Sequence, residues 1–207
     1  LDRLAAEPLV IETVHPRSGK PGRVGIGKLD LQMLFGFLIK NPDTQAMLPM
    51  AIAAMDQGDF SAVAPYLLMF ADFMGGMRGM PEAMDAASGI SPERAARVRR
   101  EASDTLLEDI LNYPGPALAE ALGVADLGEP FRAPLSSPVP ALFLSGDRDG
   151  RTYVESHREA AAGFEHAVHV IVEGAGHDLF MASPEVGDRI ATFLAGKPTS
   201  SAPIQAR

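Results

Sequence analysis

Two short loops carry residue types from which acid–base chemistry can be built. One is Gly146-Asp147-Arg148-Asp149-Gly150-Arg151-Thr152 and the other is Glu173-Gly174-Ala175-Gly176-His177-Asp178. A short apolar run precedes each, Val139 to Leu144 before the first and Ala167 to Val172 before the second. In open α/β sheets the loops leaving the strand C-termini line the ligand crevice, so a polar residue just past such a strand faces substrate. An imidazole titrates near neutrality and can take up and return a proton. The 28 residues from Asp149 to His177 fit one crossover helix plus one strand, so the two loops can meet if the strands are neighbours. Asp147 and Asp149 are both candidates for the acid, and Asp149-Gly150 is also a turn-forming pair. His177 lies among glycines beyond a buried strand, where a bulky polar side chain serves no packing purpose. His15, His157, His166 and His169 read as surface or packing residues, because they border a turn, a helix or a strand interior. Arg148 and Arg151 are expected to salt-bridge locally, and Asp178 to cap the segment that follows.

The elements that must position these loops follow from the pattern. The continuous apolar run ending in Ser145-Gly146 suits a strand buried on both faces of a parallel sheet. Tyr153 to Phe164 reads as a helix, Ala167 to Val172 as a second buried strand and Pro184 to Leu194 as a closing helix. Two parallel strands cannot cover their own edges, so more of a sheet is expected outside this chain. Upstream, Leu9 to Val14 and Arg23 to Ile26 flank the turn formers Pro16 to Gly22 and predict a hairpin. Between Leu29 and Leu122 the spacing turns helical, as in Leu31, Leu34, Phe35 and Leu38, and again in Leu106, Leu107, Ile110 and Leu111. Prolines punctuate this region, and Asp43, Asp59 and Ser91 are placed to cap helices or start turns. The stretch from Gly196 to Arg207, rich in Ser, Pro and Ala, is expected to be a disordered tail.

Composition narrows the function. The chain has 207 residues, 46% hydrophobic and 22% charged, which is globular and long enough for a sizeable core. A formal charge of −9 without a basic run argues against nucleic acid or an anionic membrane as partner, since both bind clustered positive charge. The absence of cysteine removes disulfides, thiolate metal sites and a cysteine nucleophile. No apolar stretch approaches the roughly 20 residues that cross a bilayer. The chain opens Leu1-Asp2-Arg3-Leu4, with neither an initiator methionine nor a secretion signal, as a sequence starting in mid-protein would; a cytoplasmic and a secreted location fit equally.

Pro138 to Thr152, followed by Val172-Glu173-Gly174-Ala175-Gly176-His177, resembles the end of α/β-hydrolases of the proline iminopeptidase and tripeptidyl aminopeptidase-like branch. The resemblance extends more weakly to Phe131-Arg132-Ala133-Pro134, Gly58-Asp59-Phe60 and Leu1 to Pro8. It implies an α/β fold: the C-terminal portion of a hydrolase, with parallel strands, crossover helices and an inserted helical lid. The family's Gly-x-x-Asp pattern maps onto Gly146 and Asp149, which favours Asp149 over Asp147, and its histidine maps onto His177. His177 would then be the general base and Asp149 the acid that holds its tautomer in a Ser-His-Asp triad. The serine should stand in a Gly-x-Ser-x-Gly turn earlier in the chain. No such turn occurs here, and Ser18, Ser136, Ser137 and Ser145 lack its strand-to-helix context. The chain alone is therefore expected to be inactive, with the N-terminal half of the hydrolase core as its missing partner and with no metal or cofactor.

The expected organisation is a hairpin entry segment at 1–27, a helical lid at 28–130, core strands and helices at 131–195, and the tail at 196–207. Nine of the ten methionines lie between Met33 and Met84, which fits either a lid over an apolar substrate or ordinary core packing. Met74 to Met80 lacks the lysine of a phosphate loop and reads as a mobile lid segment. Glu82, Glu101, Glu108 and Asp109 are candidates to bind a substrate amino group, and solvated helix faces explain all four equally. Two functional classes follow. One is a serine hydrolase acting on a small peptide, with an esterase as close variant; the other is a non-catalytic module of lid and half-sheet.

Overall fold

In the computed structural model, which describes residues 1–74, 79–113 and 115–207, the chain opens with a short helix, α1 (Asp2–Ala6), and an antiparallel hairpin. Strands β1 (Leu9–Val14) and β2 (Pro21–Ile26) pair with Leu9 opposite Ile26 and Val14 opposite Pro21. Gly19 closes the turn in the left-handed region, φ 66°, and donates to the His15 carbonyl. Period-two alternation buries Val24 and Ile26 on one face and leaves Val10 and Val14 exposed on the other.

Helices follow: α2 (Lys28–Leu38), α3 (Pro42–Gln45), α4 (Leu48–Asp56), α5 (Ala64–Met74), α6 (Met80–Ser88), α7 (Pro92–Ala102), α8 (Gly115–Leu122) and α9 (Gly128–Arg132), with a 3-10 turn at Ile110–Asn112. Except for Leu38–Met47, they join the hairpin in one compact unit, Leu1–Phe37 with Leu48–Ala133. Leu31, Leu34, Phe60, Val63, Leu67 and Ile110 are buried within it. Helix α5 lies against the hairpin where Gly22 makes room for Leu68; a Cβ there would sit 2.8 Å from Leu68 Cδ2. Ser91 caps α7 by accepting from the Arg94 amide, whereas Asp59 starts a turn by accepting from Ser61 N–H.

The helix expected at Leu106 to Leu111 is absent. Glu108 takes a positive φ of 50°, its carboxylate pairs with Lys28, and Gln32 Nε2 donates to the Leu106 carbonyl, so contacts with α2 override the local period. Residues 75–78 of the Met74 to Met80 stretch lie outside the described residues. Met47, Met50, Met80 and Met84 are exposed, which core packing does not explain.

The second unit comprises Leu38–Met47 and Pro134–Arg207. It contains β3 (Ala141–Gly146), α10 (Val154–Ala161), β4 (Ala167–Glu173), α11 (Leu179–Ala182), α12 (Pro184–Leu194) and β5 (Ile204–Gln205). The sheet order is β3-β4-β5 and both pairings are parallel, with Gly146 opposite Val172 and Val172 opposite Ile204. Phe143, Ser145 and His169 share the face covered by α10, where Phe143 meets Phe164 and His169 edge-on. Leu142, Leu144, Val168, Val170 and Val172 point the other way and pack with Leu179, Ala182, Val186 and Ile190 of α11 and α12. Helices thus cover both faces, as in an α/β unit, and each core side chain buried here contributes roughly 1.5–3 kcal/mol.

Two expectations are corrected in this unit. The tail expected to be disordered returns to the sheet: Ile204 is fully buried against the β4 core, and the Ala206 amide donates to the Glu173 carbonyl. The segment 38–47, expected within the helical lid, instead folds with the strands.

Candidate active site

The two loops meet at the C-terminal ends of β3 and β4. The carbonyl ends of neighbouring parallel strands release their chains on the same side, and the loops then hydrogen-bond each other: Asp147 N–H to Val172 O, and Arg148 N–H to Ala175 O. The close approach demands glycine. A Cβ on Gly146 would lie 2.3 Å from the Gly176 carbonyl oxygen and 2.4 Å from that of Ala175. Gly174 has φ 80° and turns the chain out of β4.

His177 and Asp149 are brought together. His177 Nδ1 lies 2.8 Å from Asp149 Oδ2, and Asp149 Oδ1 accepts from the backbone amides of Arg151 and Thr152 at 2.8 and 3.1 Å. The carboxylate is therefore fully engaged, with a side chain 6% exposed, whereas the imidazole is 43% exposed. Its Nε2 makes no hydrogen bond among the described residues. An ionised Asp149 accepts only, which fixes the proton on Nδ1 and leaves Nε2 as the free lone pair. The rival acid, Asp147, does not meet His177. It bonds across the loops instead, Oδ1 accepting from Gly174 N–H at 2.6 Å.

Arg148 and Arg151 form no ion pair among the described residues, contrary to expectation; their backbones serve the loops instead. Asp178 stands at the start of α11 without capping it. Its Oδ2 accepts from Asn41 Nδ2 at 2.5 Å and pairs with Lys40 Nζ at 3.1 Å. The Asn41 hydrogen bond, then Lys40, holds its carboxyl below the usual carboxylate range. Lys40, Asn41 and Gln45 were invisible to sequence reasoning, since Asn41 lies at the end of one apolar run, far from His177, and amide and carbonyl contacts leave no periodic signature.

Ser145 is buried, and its hydroxyl is occupied on the α10 face: Oγ lies 2.7 Å from His169 Nε2 and also bonds His157 Nδ1. One hydroxyl proton can serve only one ring, so at least one of the two rings donates to Oγ. Burial, then the charges of His157 and Arg158, push the His169 pKa down. A recess of about 280 Å³ opens beside Asp149, lined also by Asp147, Tyr153, Glu155, Arg158 and Ile171. That is small for a ligand pocket, and His177 is not among its lining residues. Among the described residues no cluster of His, Asp and Glu has the makings of a metal site, and no helix is long and apolar enough to cross a membrane.

A parallel sheet covered by helices on both faces, with its polar loops at the strand C-termini, is the architecture of an open α/β unit, whose ligand crevice those loops line. Residues 121–200, which include β3, β4 and both loops, match the sequence model of the family described as TAP-like protein. That stretch, less than half of the chain, is similar to α/β-hydrolases of the tripeptidyl aminopeptidase-like branch. No curated protein and no solved structure matches the chain.

Proposed function

We propose that Asp149 and His177 are the acid and the base of a Ser-His-Asp triad in a serine hydrolase of peptidase type. The nucleophile stands on a Gly-x-Ser-x-Gly turn outside these 207 residues, and this chain alone does not turn over substrate. The observation that supports the reading best is the 2.8 Å bond between His177 Nδ1 and Asp149 Oδ2, beside an Nε2 without a partner among the described residues. In that arrangement Nε2 takes the proton of the attacking serine and returns it to the leaving amine. Asp149 stays ionised throughout, its second oxygen held by the Arg151 and Thr152 amides, and offsets the charge of the imidazolium. The oxyanion donors belong with the nucleophile's turn and an earlier strand loop.

The peptidase assignment rests on the family of residues 121–200. The substrate class is an N-terminal residue or short peptide, with an ester as the close variant because the acyl-transfer machinery is shared. The methionine-rich helices are proposed as the lid, with Met50, Met80 and Met84 offering adaptable apolar surface.

The test joins the chain to the segment carrying the Gly-x-Ser-x-Gly turn and compares aminoacyl with short-acyl chromogenic substrates. Turnover of the aminoacyl substrate, abolished by His177→Ala, is expected. Preference for short acyl esters would reassign the protein as an esterase, and turnover unaffected by His177→Ala would remove His177 from the mechanism.

A further inference from the structure

Residues 39 to 45 cross beneath both loops of the candidate site and hydrogen-bond to each of them as well as within the segment. On the histidine loop, the Lys40 carbonyl accepts from His177 N–H at 2.8 Å. Asn41 closes a reciprocal pair with the next residue, Oδ1 accepting from Asp178 N–H at 3.1 Å and Nδ2 donating to Asp178 Oδ2 at 2.5 Å. On the acid loop, Gln45 Nε2 donates to the Arg148 carbonyl at 2.9 Å and to the Ile39 carbonyl at 2.6 Å. Two glycines admit the crossing. A Cβ on Gly176 would lie 2.4 Å from the Lys40 carbonyl oxygen, and one on Gly150 would lie 2.4 Å from that of Ile39. Thr44 Oγ1 donates to the Asn41 and Leu38 carbonyls and stiffens the crossing itself.

From this geometry we infer that the segment Ile39–Gln45 is a splint that sets the Asp149–His177 hydrogen bond, with Asn41 and Gln45 as its positioning residues. His177 is held from outside the sheet at its own amide and at the residue after it, and Asp149 is held one residue before it. The bond between the two side chains spans loops that extend past the paired ends of β3 and β4. A shift of about 1 Å in either loop would break it; the loops tie to each other through Asp147 and Arg148, and the splint adds a second tie at the residues that flank the pair. The inference carries a catalytic meaning only on the triad reading above, but the geometry it claims can be tested without turnover.

The experiment is nitrogen-15 NMR of the histidine-labelled full chain, with His177 assigned by its loss in His177→Gln. The wild-type chain should show His177 as the Nδ1–H tautomer, with a low-field Nδ1 proton from the bond to Asp149. Asn41→Ala and, separately, Gln45→Ala should lose that proton and move His177 toward the Nε2–H tautomer that free imidazole favours, with circular dichroism unchanged. Arg97→Ala, which removes an exposed pair on α7, should leave His177 as in the wild type. Asp178→Asn is the milder arm: it retains the amide bond to Asn41 and should shift the tautomer only in part. An unchanged Nδ1–H signal in Asn41→Ala and Gln45→Ala overturns the inference. So does loss of the fold in both, because the segment would then support the sheet rather than the pair. Neither outcome touches the hydrolase reading, whose failure would show as absent turnover in the assembled protein despite an intact Nδ1–H signal.

Discussion

At the residue scale, Asp149 has two jobs that substitutions can separate. Oδ1 holds the turn through Arg151 and Thr152, and Oδ2 faces His177. Asp149→Ala strips the acceptor from two turn amides and an imidazole around a nearly buried position, which should cost about 1–3 kcal/mol, read from urea unfolding. Asp149→Asn retains an oxygen for the turn but presents an NH2 to Nδ1, forcing the proton to Nε2. It should therefore cost less stability than Asp149→Ala, yet in the assembled enzyme lower kcat by roughly 10³–10⁴-fold. Asp147→Asn retains the acceptor for Gly174 N–H and should leave turnover nearly intact. This pair of residues also shows how far the sequence could go. Spacing left Asp147 and Asp149 open and a family pattern chose between them, whereas only coordinates reveal that Asp147 is occupied by the neighbouring loop. Asn41 and Gln45 had no such signal, since an amide side chain looks the same in sequence whether it faces solvent or a carbonyl.

At the element scale, β3 and β4 were readable because strands covered on both faces are apolar along most of their length, here broken only by Ser145, His169 and the terminal Glu173, and the hairpin was readable because turn formers separate two alternating runs. Leu106 to Leu111 misled for a physical reason: the helical period is present, but Glu108 and Gln32 commit the backbone to α2 instead. The tail misled because its docking uses one buried apolar side chain and backbone bonds such as Ala206 N–H to the Glu173 carbonyl, which leave little mark on composition. Ile204 is buried in a stretch otherwise rich in Ser, Pro and Ala, and two residues of strand suffice to continue the sheet. Ile204→Ala should accordingly destabilise the strand unit by about 2–5 kcal/mol, measured by chemical denaturation. Substituting a loop glycine should act on the site as well. Gly176→Ala places a methyl against the backbone of Lys40 and Asn41, which a flexible side chain cannot relieve, so loss of the His177–Asp149 bond should accompany loss of stability.

For the whole molecule, acid should unsettle the strand unit in two stages. His169 has a lowered pKa in the fold, so the unfolded chain binds its proton first. The stability it contributes is complete above about pH 6.5 and falls as the pH drops below it. Asp178 is also lowered, so its share persists below that pH and is lost only in the carboxylate range. A thermal midpoint that declines from pH 7 to 5, with His169→Gln flattening the decline, would show the first stage. A midpoint independent of pH over that range would count against a lowered pKa at His169. Covalent capture of the serine probes the pair at the strand ends most directly. In the chain assembled with its nucleophile-bearing segment, a fluorophosphonate should label the serine rapidly. His177→Ala and Asp149→Asn should each slow labelling by roughly 10²–10⁴-fold. Labelling at the wild-type rate in both substituted proteins would contradict the assignment of His177 and Asp149 as base and acid.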